Sequence, residues 1–297
     1  MKKAYIVLAH RYPEQLLRLL QRLDDNNSAF FIHIDKRASI SDFYILNSNV
    51  LKNKIHFIDR EVGNWGGVGI VKATLKGMKS ISKSKINFDF ISLISGQDYP
   101  LKSNKEIDRF FALNEHKIFI AHRRLPTSSW NNGGMDRISK YYFGDRLNPD
   151  SKSRFLMNHI NRFTFKFDFL KRKLPNGIKP YGGSQWWTIS RYALDYILHI
   201  VQKDPSLLKF HRFSLLPDEM FFQTLFANSE DTFIKENLVN DNLRFIDWSN
   251  PNEMPSIFRK KDFNVLTESN KMFARKFDSV VDSGILDVID QHILNVL

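Results

Sequence analysis

The sequence contains no cysteine. Disulfide cross-links, thiolate metal sites and a cysteine nucleophile are thereby excluded. No apolar run approaches the roughly 20 residues that a bilayer-spanning helix requires. The N-terminal run AYIVLA stops at His10-Arg11-Tyr12-Pro13, too short for the apolar core of a secretory leader, and reads as a first strand. With no leader read there, the expected location is the cytoplasm. Also missing are a Walker loop, G-x-G-x-x-G, H-E-x-x-H and G-x-S-x-G. The glycines at 66, 67 and 69 lack the dinucleotide spacing and are discounted as a phosphate cradle. No two aspartates are separated by a single intervening residue as Asp-x-Asp, so no paired-carboxylate site for a divalent cation is expected. Internal repeats and low-complexity segments are absent.

What is present suits an enzyme-sized globular chain. At 297 residues, 42% hydrophobic and 26% charged, the chain can bury a large core. Its net charge of +12 implies a polyanionic neighbour: nucleic acid, an anionic membrane surface or a phosphorylated ligand.

Hydrophobic patterning predicts strands at 4–9, 30–34, 54–58, 88–94 and 117–121. Between them lie helical patterns at Pro13–Leu23, about 68–82, and 103–113. This alternation predicts an α/β fold with a Rossmann-like, mostly parallel central sheet flanked by helices. From 124 to 180 the periodicity dissolves into an expected irregular insertion. Residues 151–180 hold eight Lys/Arg against one Asp, interleaved with Phe155, Phe163, Phe165, Phe167 and Phe169. Strands resume over SQWWTI (184–189) and Leu243–Trp248. Helices are predicted after Ser190, opening at Pro217-Asp218-Glu219, and near 261–273 and 283–296.

One stretch, Phe88–Ile107, organises the chain. A buried-type strand ends in Ser95-Gly96-Gln97-Asp98-Tyr99-Pro100, and Ser103 with Glu106 has capping-box spacing. Open α/β sheets place ligand groups at such strand ends, although an ordinary capped βα turn fits the stretch as well.

Six segments in order resemble one known family: FFIHIDKRA (30–38), EVGNWGGVGIVKATLKGM (61–78), FISLISGQDYPLKSNKEI (90–107), GGSQWWTISRYALDYI (182–197), LPDEMFFQTL (216–225) and FARKFD (273–278). Together they resemble the core-2/I-branching enzymes, glycosyltransferase family 14, which includes the protein O-xylosyltransferases. The resemblance spans nearly the whole chain and implies a single GT-A catalytic domain over 1–297. Within it, 1–123 would be the nucleotide-binding half, 124–180 the basic insertion and 181–297 the acceptor and catalytic half.

The implied reaction is an inverting transfer from a UDP-sugar, GlcNAc or xylose, to a glycan hydroxyl, giving a β-linkage in surface polysaccharide or glycoconjugate synthesis. Direct displacement needs one general base, and the resemblance assigns that role to Glu219. Alone, Glu219 reads first as a capping or dipole-stabilising acid at a helix N-terminus, and the family pattern is what points to the base. No metal and no cofactor is expected, so fixed cations must offset the charge on the leaving diphosphate. Lys276 matches the family lysine. The family arginine does not carry over, because ungapped alignment places Glu253 there; Arg259, Arg275 and Lys260 are the substitutes. Asp35 corresponds to the nucleoside-contacting acid, with His10 lining the same pocket or satisfied in the core. Asp98 is assigned to positioning the donor sugar or bracing loops. Trp65, Trp186, Trp187 and Trp248 offer sugar-stacking faces, at most one of the adjacent pair doing so, since strand neighbours point to opposite sides. Ser184 and Gln185 are candidate acceptor contacts.

The main alternative is a basic nucleic-acid-binding protein without catalysis, but no RNP, KH or helix-turn-helix pattern occurs and no nucleic acid is expected. The basic, Phe-rich segment 151–180 better suits an anionic membrane surface. The expected partners are accordingly a UDP-sugar, a glycan or lipid-linked oligosaccharide acceptor, and the inner face of the cell membrane.

Overall fold

A computed structural model of the chain describes residues 1–47, 51, 53–143, 151–250, 252 and 255–295. Its strands are β1 (Lys3–Ala9), β2 (Ser28–Ile34), β3 (Ile55–Phe57), β4 (Phe90–Ser95), β5 (Asp98–Pro100), β6 (Ile118–Arg124), β7 (Tyr181–Ser190), β8 (Leu238–Val239), β9 (Arg244–Ile246) and β10 (Phe273–Arg275). Seven form a sheet in the order β3-β2-β1-β4-β7-β6-β8, and three form a small sheet in the order β5-β10-β9. In the large sheet β3, β2, β1 and β4 run parallel, whereas β7 is antiparallel to β4 and β6. The fold is thus α/β with a mixed, mainly parallel central sheet. Its topology brings the carboxyl ends of β1 to β4 and the amino end of β7 to one edge.

Alternation along the strands divides the core. Tyr5, Val7, Phe30 and Ile32 face one side, which is covered by α1 (Pro13–Leu23), α3 (Asn104–Leu113) and α11 (Gly284–His292). Ala4, Ile6 and Phe31 face the other, covered by α2 (Gly69–Lys83), α6 (Arg191–Lys203) and α8 (Phe221–Ala227). Helix α1 forms because leucines at 16, 19, 20 and 23 recur at helical spacing and all four are fully buried. Helix α3 starts where expected: Ser103 and Glu106 close a reciprocal capping box. Smaller helices are α4 (Asp136–Ser139), α7 (Ser206–His211), α9 (Thr232–Asn237) and α10 (Phe263–Thr267). Among the described residues no helix is long and apolar enough to cross a membrane.

Three expectations need correction. The insertion expected to be irregular holds α5 (Ser151–Lys166), whose apolar positions are diluted by basic and amide residues. Pro217–Glu219 is a separate 3-10 turn, because Met220, at φ −134°, interrupts the path into α8. The helix expected over 261–273 ends at Thr267, and Phe273–Arg275 pairs as β10 between β5 and β9. Glu253, where the family arginine was sought, lies outside the described residues.

Candidate active site

The first group of side chains stands beyond the parallel strands. After β2, Asp35 is buried and both its oxygens are engaged. Its Oδ1 accepts from Arg37 N (2.8 Å) and Nε (3.1 Å), and its Oδ2 accepts from Arg37 Nη2 (3.1 Å) and Gly63 N (2.9 Å). Burial would raise its pKa, but these donors outweigh that and hold the carboxyl below its ordinary range. Arg37 also donates to Asn64 Oδ1 (2.8 Å) and Gly63 O (2.9 Å). Asp35 therefore fixes Arg37 and the loop after β3. His10, after β1, completes the group: desolvation lowers its pKa first, Arg11 adds to this, Asp35 opposes, and Lys276 and Arg37 lower it further.

Lys276 follows β10. Phe258 N donates to its carbonyl (2.9 Å), which brings the segment carrying Arg259 alongside. Arg259 Nη1 donates to Ile257 O at 2.7 Å. On the other side Phe277 N donates to Gln97 O (2.9 Å), and Gln97 Nε2 donates to Phe277 O (3.1 Å). Trp65 (76% exposed) and Trp248 (60% exposed) present open ring faces to solvent.

The elbow after β4 looks inward. Asp98 is fully buried and accepts from Ser95 Oγ (2.8 Å). The antiparallel register sets it opposite Arg275, whose Nη1 is 3.3 Å from Asp98 Oδ1. The Arg275 guanidinium lies 4.1 Å over the Trp186 ring. Burial lowers the Arg275 pKa, with Asp98 opposing; burial likewise lowers buried Arg244 to about 10, again opposed by Asp98. Tyr99 donates its hydroxyl to Asp290 at 2.7 Å. Trp186 is covered by Arg275, while Trp187 is fully buried and packs edge-on against Phe222. The structure thus joins Asp98, Arg275 and Trp186 into an internal brace, and sets Trp187 in the core, where its ring has no open face. Ser184 Oγ accepts from Trp186 N (3.3 Å) and its carbonyl accepts from Gln223 Nε2 (2.6 Å); Gln185 is half-buried. Removing Asp98 with alanine leaves Arg275 without its counter-charge. A loss of about 3–5 kcal/mol is expected, readable as a shifted urea midpoint at unchanged slope; a loss below about 1 kcal/mol would contradict the brace.

Glu219 occupies the 3-10 turn Pro217–Glu219 and is partly exposed. Its Oε2 is 2.5 Å from Arg137 Nη1, and that guanidinium lies 3.9 Å over the Trp130 ring. A side chain at Gly182 would come within 2.5 Å of Trp130 and 3.5 Å of the Glu219 carbonyl, so β7 can approach this turn only with glycine there. The turn is tied to the first group. Leu216 N donates to Gly66 O (2.9 Å), and Gly66 adopts φ +78°, the conformation that glycine favours. The loop 61–66 is therefore held by Asp35 and Arg37 at one end and by the Glu219 turn at the other. Arg37, Arg137 and Trp130 were not singled out in the sequence. Arg37 stands inside FFIHIDKRA, two residues after Asp35, whereas Arg137 and Trp130 lie where periodicity fails. Among the described residues no three His, Asp or Glu gather into a potential metal cluster.

Residues 3–269 match the family described as Branch: Core-2/I-Branching enzyme. The chain belongs to this family. The core-2/I-branching enzymes are glycosyltransferases, and the α/β architecture with a mixed, mainly parallel central sheet agrees with the α/β class expected from the sequence. Among curated proteins, rat xylosyltransferase 2 is 29% identical over 318 residues, covering 98% of this chain and 33% of the rat protein. Dog xylosyltransferase 1 is 25% identical, covering 98% of this chain and 30% of its own length. The chain thus spans about a third of the curated relatives it matches. Among solved structures, a protein described as a glucose-1-phosphate thymidylyltransferase from Bacillus anthracis aligns with a TM-score of 0.40 at 10% identity, covering 90% of this chain and 96% of that one.

Proposed function

We propose that this core-2/I-branching enzyme transfers a sugar from a UDP-sugar to a hydroxyl of a glycan or lipid-linked oligosaccharide, with inversion and without a metal ion. One observation carries the proposal: the loop 61–66 joins a cation-rich group at the ends of β1 and β2 to the turn bearing a partly exposed carboxylate, Glu219. The Glu219 carboxylate accepts the acceptor hydroxyl proton as that oxygen attacks the anomeric carbon from the face opposite the UDP. The bond to UDP breaks in the same displacement, and the configuration inverts to β. Lys276, with Arg259 beside it, supplies positive charge to the leaving diphosphate. His10 and the loop that Asp35 anchors line the nucleoside side, and Trp65 and Trp248 offer their ring faces to sugars. GlcNAc and xylose are the donors to try first.

A panel of UDP-sugars read by UDP release tests this. Release is expected with one donor and should be unchanged by EDTA. Activity abolished by EDTA and restored by Mn²⁺ would overturn the metal-free assignment, and no release from any UDP-sugar would overturn the donor class.

A further inference from the structure

The long helices α1, α2, α3, α6 and α11 each bury an apolar face. Helix α5 does not. Phe155 is 67% exposed, Leu156 58%, Ile160 37% and Phe163 59%, and Phe169 in the following turn is 79% exposed. At about 100° per residue, the four helical positions fall within one arc of roughly 140°, the width of an amphipathic stripe. Among the described residues none of them joins a core cluster. Their ring contacts are local: Phe155 with His159 at 4.3 Å, Phe163 with Phe167 at 4.8 Å, and Phe167 with Phe169 at 5.7 Å. Arg162 is exposed just outside one edge of this stripe and Lys166 just inside the same edge, and Lys171 and Lys173 are exposed in the turn that follows.

We propose that α5 and the turn after it dock the protein on the surface of an anionic lipid bilayer. Exposed apolar side chains flanked by cations on one helix edge match the acyl–headgroup boundary, with hydrocarbon below and lipid phosphate beside. A second copy fits less well, because apposing this face to itself would bring like-charged edges together. Single-stranded nucleic acid fits less well too: bases stack on aromatic faces, and Leu156 and Ile160 have none. The segment is also firmly rooted. Arg172 N donates to Ser139 O (2.7 Å), and Arg172 Nη1 donates to Phe213 O (2.6 Å) with its guanidinium 3.8 Å over Phe210. Ser139 ends α4, the helix that carries Arg137 to Glu219. The docking face therefore starts beside the candidate acceptor side, which places a lipid-anchored acceptor within its reach; this last step rests on the transferase reading, the docking itself does not.

Co-sedimentation of the full chain with vesicles of phosphatidylcholine, with and without phosphatidylglycerol, tests the docking. Binding is expected only to the anionic vesicles and should weaken with salt. F155S/F163S should lower partitioning at least tenfold, and each of R162Q and K166Q about fivefold, with thermal melting and UDP release in vesicle-free buffer unchanged. Equal binding by F155S/F163S and wild type, or no vesicle binding at all, would overturn the proposal. So would a dimer in sedimentation velocity that the same variant dissolves, or salt-sensitive retention of single-stranded DNA without vesicle binding. A variant that stays off vesicles yet releases UDP normally separates this inference from the fate of the transferase reading.

Discussion

Glu219→Gln is expected to retain UDP binding and to lose sugar transfer by about 10²- to 10⁴-fold in kcat, the usual contribution of a positioned general base. Glutamine keeps the shape of the side chain and an oxygen able to accept from Arg137, so the 3-10 turn and its tie to Gly66 should persist. What disappears is the ability to take a proton from the acceptor. Arg137 keeps its seat on Trp130, and the pair is partly solvated, so the change in folding stability should be small. Isothermal titration with UDP, set against turnover of the productive donor, separates the two effects. Near-normal turnover with intact binding would remove Glu219 from the role of base.

The second large effect concerns stability in acid. His211 is almost wholly buried, against the edges of Phe210 and Phe221, and among the described residues neither ring nitrogen has a hydrogen-bond partner. Burial, reinforced by the Arg172 charge, pushes its pKa down to about 3. The unfolded chain, with a histidine pKa near 6.5, then binds a proton that the folded chain refuses. Stability from this group is full above about pH 6.5 and declines as pH falls toward 3, by about 1.4 kcal/mol per unit within that window. His33 acts in the same direction: burial lowers its pKa, and its Nε2 accepts from Glu61 N at 2.8 Å. Urea midpoints at pH 7 and pH 5 should therefore differ by about 2 kcal/mol or more in the wild type. His211→Met removes one titrating group and should flatten the difference; an undiminished pH dependence in that variant would place the acid lability elsewhere.

Local chemistry made much of this fold readable. The leucine spacing of α1, the apolar runs of β1, β2 and β4, and the Ser103–Glu106 cap each act within a few residues. Helix α5 was hidden because its sequence mixes amides and cations into the apolar pattern, and among the described residues its apolar stripe joins no core cluster. The elbow was legible only in part. Asp98 reads from sequence either as a group positioning the donor sugar or as a brace between loops, and the β5–β10 register, which pairs it with Arg275, is set by a strand far away in the chain. Glu219, Lys276 and Asp35 carried recognisable neighbours in sequence. Arg137 acquires its role only by pairing with Glu219 across 82 positions, and Trp130 only by seating that guanidinium, for which no local pattern exists.

The small sheet has a consequence for biosynthesis. Strand β10 sits between β5 and β9, and Gln97 is bonded to Phe277 across 180 positions of chain. During synthesis at about 5–20 residues per second, the elbow leaves the ribosome roughly 9–36 s before the strand that receives it. Throughout that interval Asp98 has no arginine opposite, β5 has an open edge, and Lys276 has not yet emerged. The parallel half can form early from neighbouring segments, but the site closes last, when a distant strand arrives. A chain arrested before residue 273 would keep the first group around Asp35 and lack the wall that faces it.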